Sequence, residues 1–305
     1  MSGIPTNRTN IALPTDVSQE ILQKTQQSSA LMTLGRQIPL PGRGLSIPVI
    51  TGDPAAGWVD ETDPKPVSNP SVGTKIMRGY KLAVIEPFSN EFRRDARALY
   101  DALVARLPLV LAQMFDKTVI GAEQAPGNDF DQLTAATAQS IIASQGHTVY
   151  DGLVAAFADI AEHGGMLNGF ALSPAAEGIL LAATDNSGRP LFVNSAADGA
   201  IPRILSARTV SSRGMYKAGS AAVGTTPGTP AIVGVAGDWT QAMWGTVEGV
   251  QIDISDQATL TYTSGTDTVT LNLWQRNMFA VRAEIEVGFR CDVNCFNLLT
   301  GAIPT

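Results

Sequence analysis

The side chains able to act as acid, base or nucleophile at neutral pH are few, and their surroundings argue against catalysis. Any Ser-His-Asp or Cys-His site has to use one of two histidines, His147 and His163. Each sits near glycine at an expected helix boundary (Gly146-His147-Thr148; His163-Gly164-Gly165) and reads as a helix-terminal residue. At the C-terminus of a helix the dipole would favour a His163 cation. The cysteines, Cys291 and Cys295, have no second Cys/His pair, whereas zinc wants four ligands. In an extended segment they would lie about 13 Å apart, too far for a disulfide. They read as small buried hydrophobes in a reducing compartment. Asp60, Glu61 and Asp63 have the residue types for acid–base or metal work, but their Pro-rich surroundings read as a solvated loop. Gly42-Arg43-Gly44 lacks the third glycine of a dinucleotide fingerprint, and neither a P-loop nor a Gly-x-Ser-x-Gly elbow occurs. The expectation is therefore no enzyme, no cofactor and no metal.

Composition narrows the class further. The 305 residues favour two domains as a prior. Charged residues are 16% of the chain, against roughly 25% in ordinary globular proteins, while apolar residues reach 44%. That apolar fraction can form a large core, so the chain is not disordered. No apolar run approaches the length of a membrane span, and the N-terminus lacks the basic and apolar regions of a secretory signal. A net charge of −7 excludes a simple basic nucleic-acid binder.

The elements that would carry any site are uneven along the chain. Residues 1–45 are polar and broken by prolines, with one short helix expected over Asp16–Ser29, capped by Asp16, with Val17, Ile21 and Leu22 on its apolar side. Ile47–Ile50 and Lys81–Ile85 read as two strands flanking a long insertion with Trp58, four acids and four prolines. Such an insertion argues for a function or a partner, and Trp58 is expected to dock on a neighbour. The clearest helix spans 89–121, capped by Ser89 and ended by Gly121. Phe92, Ala96, Leu99, Leu103, Leu107, Leu111, Met114 and Thr118 lie on one face, and Arg93, Arg94, Arg97, Asp101, Arg106, Asp116 and Lys117 on the solvent side. Pro108 is expected to kink or split it. Leu133–Ala143 also reads as helical. A further helix follows Thr148 and stops at Gly164-Gly165, then a strand (Gly169–Ser173) and a helix capped by Ser173. Residues 206–231 read as a surface stretch. Thr246–Ile254 reads as one strand, Ala258–Tyr262 and Val269–Leu273 as a hairpin, and Val281–Val287 as a half-buried strand.

Several of these pieces, in this order, resemble the major capsid proteins of tailed bacteriophages. They are Gly57-Trp-Val-Asp-Glu-Thr-Asp-Pro-Lys-Pro, Lys81-Leu-Ala-Val-Ile-Glu-Pro-Phe-Ser-Asn-Glu-Phe, and the long helix ending Phe115-Asp-Lys-Thr-Val-Ile-Gly-Ala. Ala171-Leu-Ser-Pro, the Gly-Arg-Pro-Leu-Phe run ending at Phe192, Gly237-Asp-Trp and Gln275–Glu284 extend the likeness from about residue 10 to residue 300. The resemblance implies an α+β, Hong Kong-type capsid fold. Its parts would be an N-terminal arm (1–45), an extended β-hairpin loop (46–86), a peripheral domain with a long spine helix (87–144 and 253–305) and an axial α/β domain (145–252). It implies a subunit that assembles with copies of itself, as pentamers and hexamers, into an icosahedral shell around double-stranded DNA. Trp58, Val59, Glu61 and Lys65 would meet a neighbour, and Phe92, Leu99, Leu103, Leu107 and Leu111 would form the spine-helix core. An encapsulin-type bacterial compartment shares the fold, and a cytosolic enzyme using the acidic trio is the reading from another class.

Some members of the family weld their shells by an isopeptide bond between a loop lysine and an asparagine, with a glutamate as proton acceptor. The resemblance places Lys65 or Lys75, Asn277 and Glu284 in those roles, although an ordinary strand explains Asn277 and Glu284 as well. Met1 stands about forty-five residues before the loop, so a separate scaffolding protein or arm-directed assembly is expected rather than an N-terminal scaffold on this chain, with a portal and decoration proteins as further partners and the virion as location. Charge is uneven: residues 95–163 hold 3 Lys+Arg and 9 Asp+Glu, whereas 36–94 hold 8 and 6. Complementary patches between copies are expected from that asymmetry.

Overall fold

A computed structural model describes residues 15–50, 57–60, 65, 67, 72–91, 96–144, 147–184, 188–192, 203–222, 227–265 and 267–302, with the backbone alone at 15–20, 49–50, 72, 96–105 and 264. From the N-terminus come α1 (Thr15–Ser28), α2 (Ala30–Leu34), β1 (Arg36–Gln37), β2 (Leu45–Ile50), β3 (Val72–Met77), β4 (Tyr80–Ser89) and α3 (Ala96–Val119). Next are β5 (Thr137–Ser140), α4 (Val149–Glu162), β6 (Gly169–Leu172), α5 (Pro174–Leu181), β7 (Arg203–Ile204), β8 (Ala207–Ser211) and β9 (Ile232–Gly237). The last part carries β10 (Ala242–Thr246), β11 (Gln251–Ser255), β12 (Thr259–Ser264), β13 (Asp267–Asn272), β14 (Met278–Cys291) and β15 (Phe296–Thr300).

β14 organises the first sheet. β4 runs antiparallel to it from Met278↔Ser89 to Val287↔Tyr80, β11 and β10 pair with successive stretches of it, and β1 lies parallel to β10. The expected alternation holds: Val281, Ala283, Ile285 and Val287 are buried, while Arg282 is exposed. Leu107 and Leu111 of α3, with Ile21 of α1, close the core over Phe279, Val281 and Ile285. The second sheet has the order β5-β15-β9-β6-β8-β7 and carries α4 and α5. Leu153, Ile160, Leu180, Phe170 and Leu299 are among its core residues. A third cluster joins the two sheets through Phe115, Phe130, Phe289, Trp239, Trp244 and Phe296. In it the Phe115 ring meets Phe130 and Phe289 edge-on at 6.2 and 6.0 Å.

Several local expectations hold for the expected reasons. Thr148 caps α4 in a reciprocal capping box with Asp151, Ser173 caps α5 with Pro174 in its first turn, and Gly121 at φ 74° follows the end of α3. His163 ends α4, its Nδ1 2.8 Å from the Asp159 carbonyl oxygen. Cys291 and Cys295 are free and buried, and burial pushes both thiols up.

Others are corrected. The hairpin's return strand is β3, inside the segment read as loop, while the Lys81 strand belongs to the first sheet. Pairing with β14 extends that strand through Ser89, whose hydroxyl accepts from Glu91 N at 3.4 Å, while α3 is described only from Ala96 onward. Phe92 lies outside the described residues, as do the side chains of Val17, Leu99 and Leu103. Asp16 falls inside α1 rather than ahead of it. α3 continues through Pro108, because one missing N–H interrupts one bond while Leu107 and Leu111 remain seated. The buried stripe follows Leu107, Leu111, Phe115 and Val119 in steps of four. Met114 is thus 38% exposed, and Asp116, expected in solvent, has no exposure at all.

Residues 137–140 form strand β5 rather than helix, held by parallel pairing with β15. Thr246–Ile254 breaks into β10 and β11. The stretch 206–231 contributes buried Ala207 and Met215. The sheets also cut across the expected segments. β5 and β15, from 87–144 and 253–305, pair in the second sheet, and β10, from 145–252, pairs in the first. In each case strand pairing distant in sequence overrides the local signal.

Candidate inter-subunit surface

The loop hairpin begins from alternation: Leu45–Ile50 pairs with Val72–Met77 from Leu45↔Met77 to Ile50↔Val72, and the two strands form a sheet of their own. Between them Trp58 is wholly exposed, Val67 is 94% exposed and Val59 41%. Lys65 and Asp60 are exposed as well. Glu61 and Asp63 lie outside the described residues, so the acidic trio is not assembled by anything described. Large apolar side chains left in water mark a surface that meets something else.

The base of this hairpin is fastened by charge. The Arg290 guanidinium, 9% exposed at its side chain, donates from Nη1 to Asp131 Oδ1 at 2.6 Å and from Nη2 to Asp129 Oδ1 at 3.0 Å. It also donates from Nε to the carbonyl of Ile76 in β3 at 2.7 Å. Arg78 reaches Asp129 at 3.1 Å, and Lys75 donates to the Cys291 carbonyl at 3.0 Å, 3.7 Å from Asp131. Three cations and two carboxylates thus tie the return strand to β14 and to the segment after α3. Arg290's planar fork suits this multidentate role.

The proposed weld residues are not brought together within one chain. Lys65 is exposed and Lys75 is engaged at the hairpin base. Asn277, at φ 53°, sits in the turn before β14, and its Oδ1 accepts from Asn90 Nδ2 at 2.8 Å. Glu284 lies along β14 and pairs with Lys81 at 2.7 Å. That hydrogen bond holds the Glu284 carboxyl below its ordinary range and raises the Lys81 ammonium. Seven positions of extended chain separate Asn277 from Glu284, about 23 Å. A shared site would need the glutamate of another copy.

A second fastening joins arm, helix and second sheet. Asp116 of α3 is buried, and among the described residues no cation pairs with it. Its oxygens accept from Ser29 Oγ at 2.6 Å, Ala30 N at 3.1 Å, Leu31 N at 3.5 Å and Ser212 Oγ at 2.6 Å. Burial pushes the carboxyl up to about 6 against the pull of these hydrogen bonds.

Residues 9–290 match the sequence profile of the phage capsid family. The probable major capsid protein gp17 of Mycobacterium phage L5 is 30% identical over 309 aligned positions, covering 96% of this chain and 90% of that protein. The chain belongs to the phage capsid family. The protein of the same name from Mycobacterium phage D29 is 28% identical, over 95% of this chain and 90% of its own length. A solved structure from Gordonia phage Cozz superposes with a TM-score of 0.67 at 22% identity, over 91% of this chain and 87% of that one. The capsid of an empty GTA particle gives 0.61 at 14%, over 90% of each chain. These structural likenesses establish the α+β, Hong Kong-type capsid fold.

Within this phage capsid family member, the two fastenings leave no local signature in the sequence. Asp116 sits among charged residues of a helix that reads as one-sided, and only the second covered side reveals it. Arg290 continues the polar face of β14 past the last alternating pair, and the hairpin that covers it is remote in sequence. Among the described residues no cluster of three metal-ligating side chains occurs, and no helix is long and apolar enough to cross a membrane.

Proposed function

We propose that this chain is the major capsid protein of a tailed bacteriophage, assembling as pentamers and hexamers into an icosahedral head shell around packaged double-stranded DNA. The observation that carries the reading is the 30% identity to the L5 protein over nearly the whole chain. The outward loop supports it, since Trp58, Val59 and Val67 gain nothing from the subunit that displays them. Trp58, Val59, Glu61 and Lys65 are assigned to contact a neighbouring copy. Residues 1–45 serve as arm, 46–86 as loop, and the remaining segments as peripheral and axial domains that share strands across their boundaries. Shell stability is multivalent: arm, loop and body contacts are individually weak and add through the closed lattice. An unwelded shell is the reading supported by Lys75 and Glu284, each of which is engaged within its own chain. A separate scaffolding protein, a portal and decoration proteins are the further partners. Assembly takes place in the bacterial cytoplasm, and the virion is the destination.

Electron microscopy of the purified protein tests this reading. Uniform closed shells are expected. A monodisperse monomer or dimer under all assembly conditions would overturn it.

A further inference from the structure

We propose that the second sheet has two complementary ends, and that its basic end in one copy docks on the outer face of α4 in a second copy of this chain. The proposal rests on the shell reading and adds which surfaces meet. The basic end is the β7–β8 hairpin. Its register sets Arg203 directly opposite Arg208, so both guanidinium groups leave the same face. Like charges in that arrangement are destabilising. Neither side chain has a carboxylate partner among the described residues. Arg36 lines the same shallow cleft as Arg208, and its described side-chain contact is with the Met243 sulfur at 3.3 Å. From Gly199 to Gly237 the sequence holds four basic residues and no acid.

The turn joining the two arginines adds strain to repulsion. Leu205 and Ser206 have φ of 48° and 67°. Two left-handed residues in succession mark a type I′ turn, normally built from Asn-Gly, and a leucine there is strained. The fold thus holds two cations face to face at a sheet edge, without an ion-pair partner among the described residues. An anionic surface docked there would offset the repulsion.

The other end of the sheet supplies such a surface. α4 packs on β5, β15 and β9, whereas β7 closes the opposite edge, three to five strand spacings or about 14–24 Å from those strands. α4 buries Val149, Leu153, Ala156 and Ile160. Yet it also displays Tyr150, Val154 and Phe157 at 46, 39 and 48% exposure. These lie at helical spacing on what should be a polar face. Asp151 and Glu162 run along one flank of the stripe, and Glu162 has no ion-pair partner among the described residues. An apolar stripe with an acidic flank complements a basic edge. Two different patches on one molecule give a head-to-tail contact, the kind that generates rings of copies when its rotation closes.

The test uses three full-length chains: the parent, Arg203→Glu/Arg208→Glu, and the same pair combined with Glu162→Arg. All three positions are exposed, so the urea midpoint of the subunit stays at the parental value. Particle yield, measured by sedimentation and electron microscopy, is expected to fall at least about tenfold in the double variant and to recover in the triple. Parental yield from the double variant overturns the proposal, and so does a loss that Glu162→Arg fails to restore. Normal particles that have lost nuclease-protected DNA also overturn it and assign the arginines to phosphate. Absence of shells from the parent chain instead overturns the shell reading, and this proposal with it.

Discussion

Ser29 and Asp116, 87 positions apart, share a 2.6 Å hydrogen bond at a site closed to solvent on both sides. Through the same carboxylate Ser212 is drawn in from the end of β8. One acidic side chain therefore fixes the N-terminal arm and the second sheet to the spine helix at once. Ser29 also caps α2, accepting from Met32 N, so the start of that helix depends on the same contact.

Asp116→Ala leaves two hydroxyls and two backbone N–H groups without their acceptor. A loss of about 2–4 kcal/mol in subunit stability is expected, with the arm turning sensitive to limited proteolysis. Urea unfolding and a trypsin time course check this; an arm as resistant as in the parent sinks it.

The same residue gives a pH signature. Its carboxyl is raised to about 6, against 3.8 for a free aspartate, so the folded chain holds the proton more tightly than the unfolded chain. The stability it contributes is full below about pH 4, declines as pH rises to about 6 and is flat beyond, a span of roughly 3 kcal/mol. No charged side chain enters the balance: burial raises the carboxyl, and Ser212, Ser29, Ala30 and Leu31 oppose it. Subtracting the profile of Asp116→Asn from that of the parent isolates this slope. A difference independent of pH between 4 and 6 refutes the assignment.

Arg290→Met strands Asp129 and Asp131 against the base of the hairpin. Removing one partner of a mostly buried ion pair costs about 3–5 kcal/mol. Arg290→Lys, which keeps the charge and loses the fork, is expected to fall between variant and parent. Hydrogen exchange should quicken in β2 and β3 before it quickens in β4. Uniform quickening across the subunit would show that the cluster is not a hairpin anchor.

Trp58→Ala is expected to leave the subunit as stable as the parent, since none of this ring is buried within it, and to impair assembly. Deletion of residues 52–72 should act in the same direction. Tryptophan emission from the parent should shift to the blue as particles form, and normal particles of normal heat stability from the deletion would refute the loop's role.

Boiling assembled particles in SDS should release one band near the 32.1 kDa chain mass. A ladder of covalent multimers would reinstate Lys65 or Lys75 as a nucleophile and require Glu284 to leave Lys81.

Local chemistry was legible in the sequence wherever it was decisive. Thr148 with Asp151, Ser173 with Pro174, and Gly121 each act within four residues, and all three end or begin the elements expected of them. The order of motifs around Trp58, Lys81 and Phe115 carried the fold. What escaped depends on contacts remote in sequence. β5 is a strand because β15 lies beside it, Ser89 is claimed by β14, and Asp116 is internal because the arm folds back over α3. The candidate surface was legible only where it stays uncovered, as at Trp58. Lys75 and Glu284 looked available until Cys291, Asp131 and Lys81 were seen to occupy them.

The position of β14 has a consequence for synthesis. It is the strand on which β4, β10 and β11 all pair, and it follows every one of them in the chain. A nascent polypeptide therefore carries the arm, the loop and the spine helix out of the ribosome before their common support exists. Long-range pairing of this kind closes late. Arg290, near the end of the same strand, fastens the hairpin at that same moment. A chain that ends before β14 therefore lacks the strand on which β4, β10 and β11 pair and the guanidinium that fastens the hairpin base.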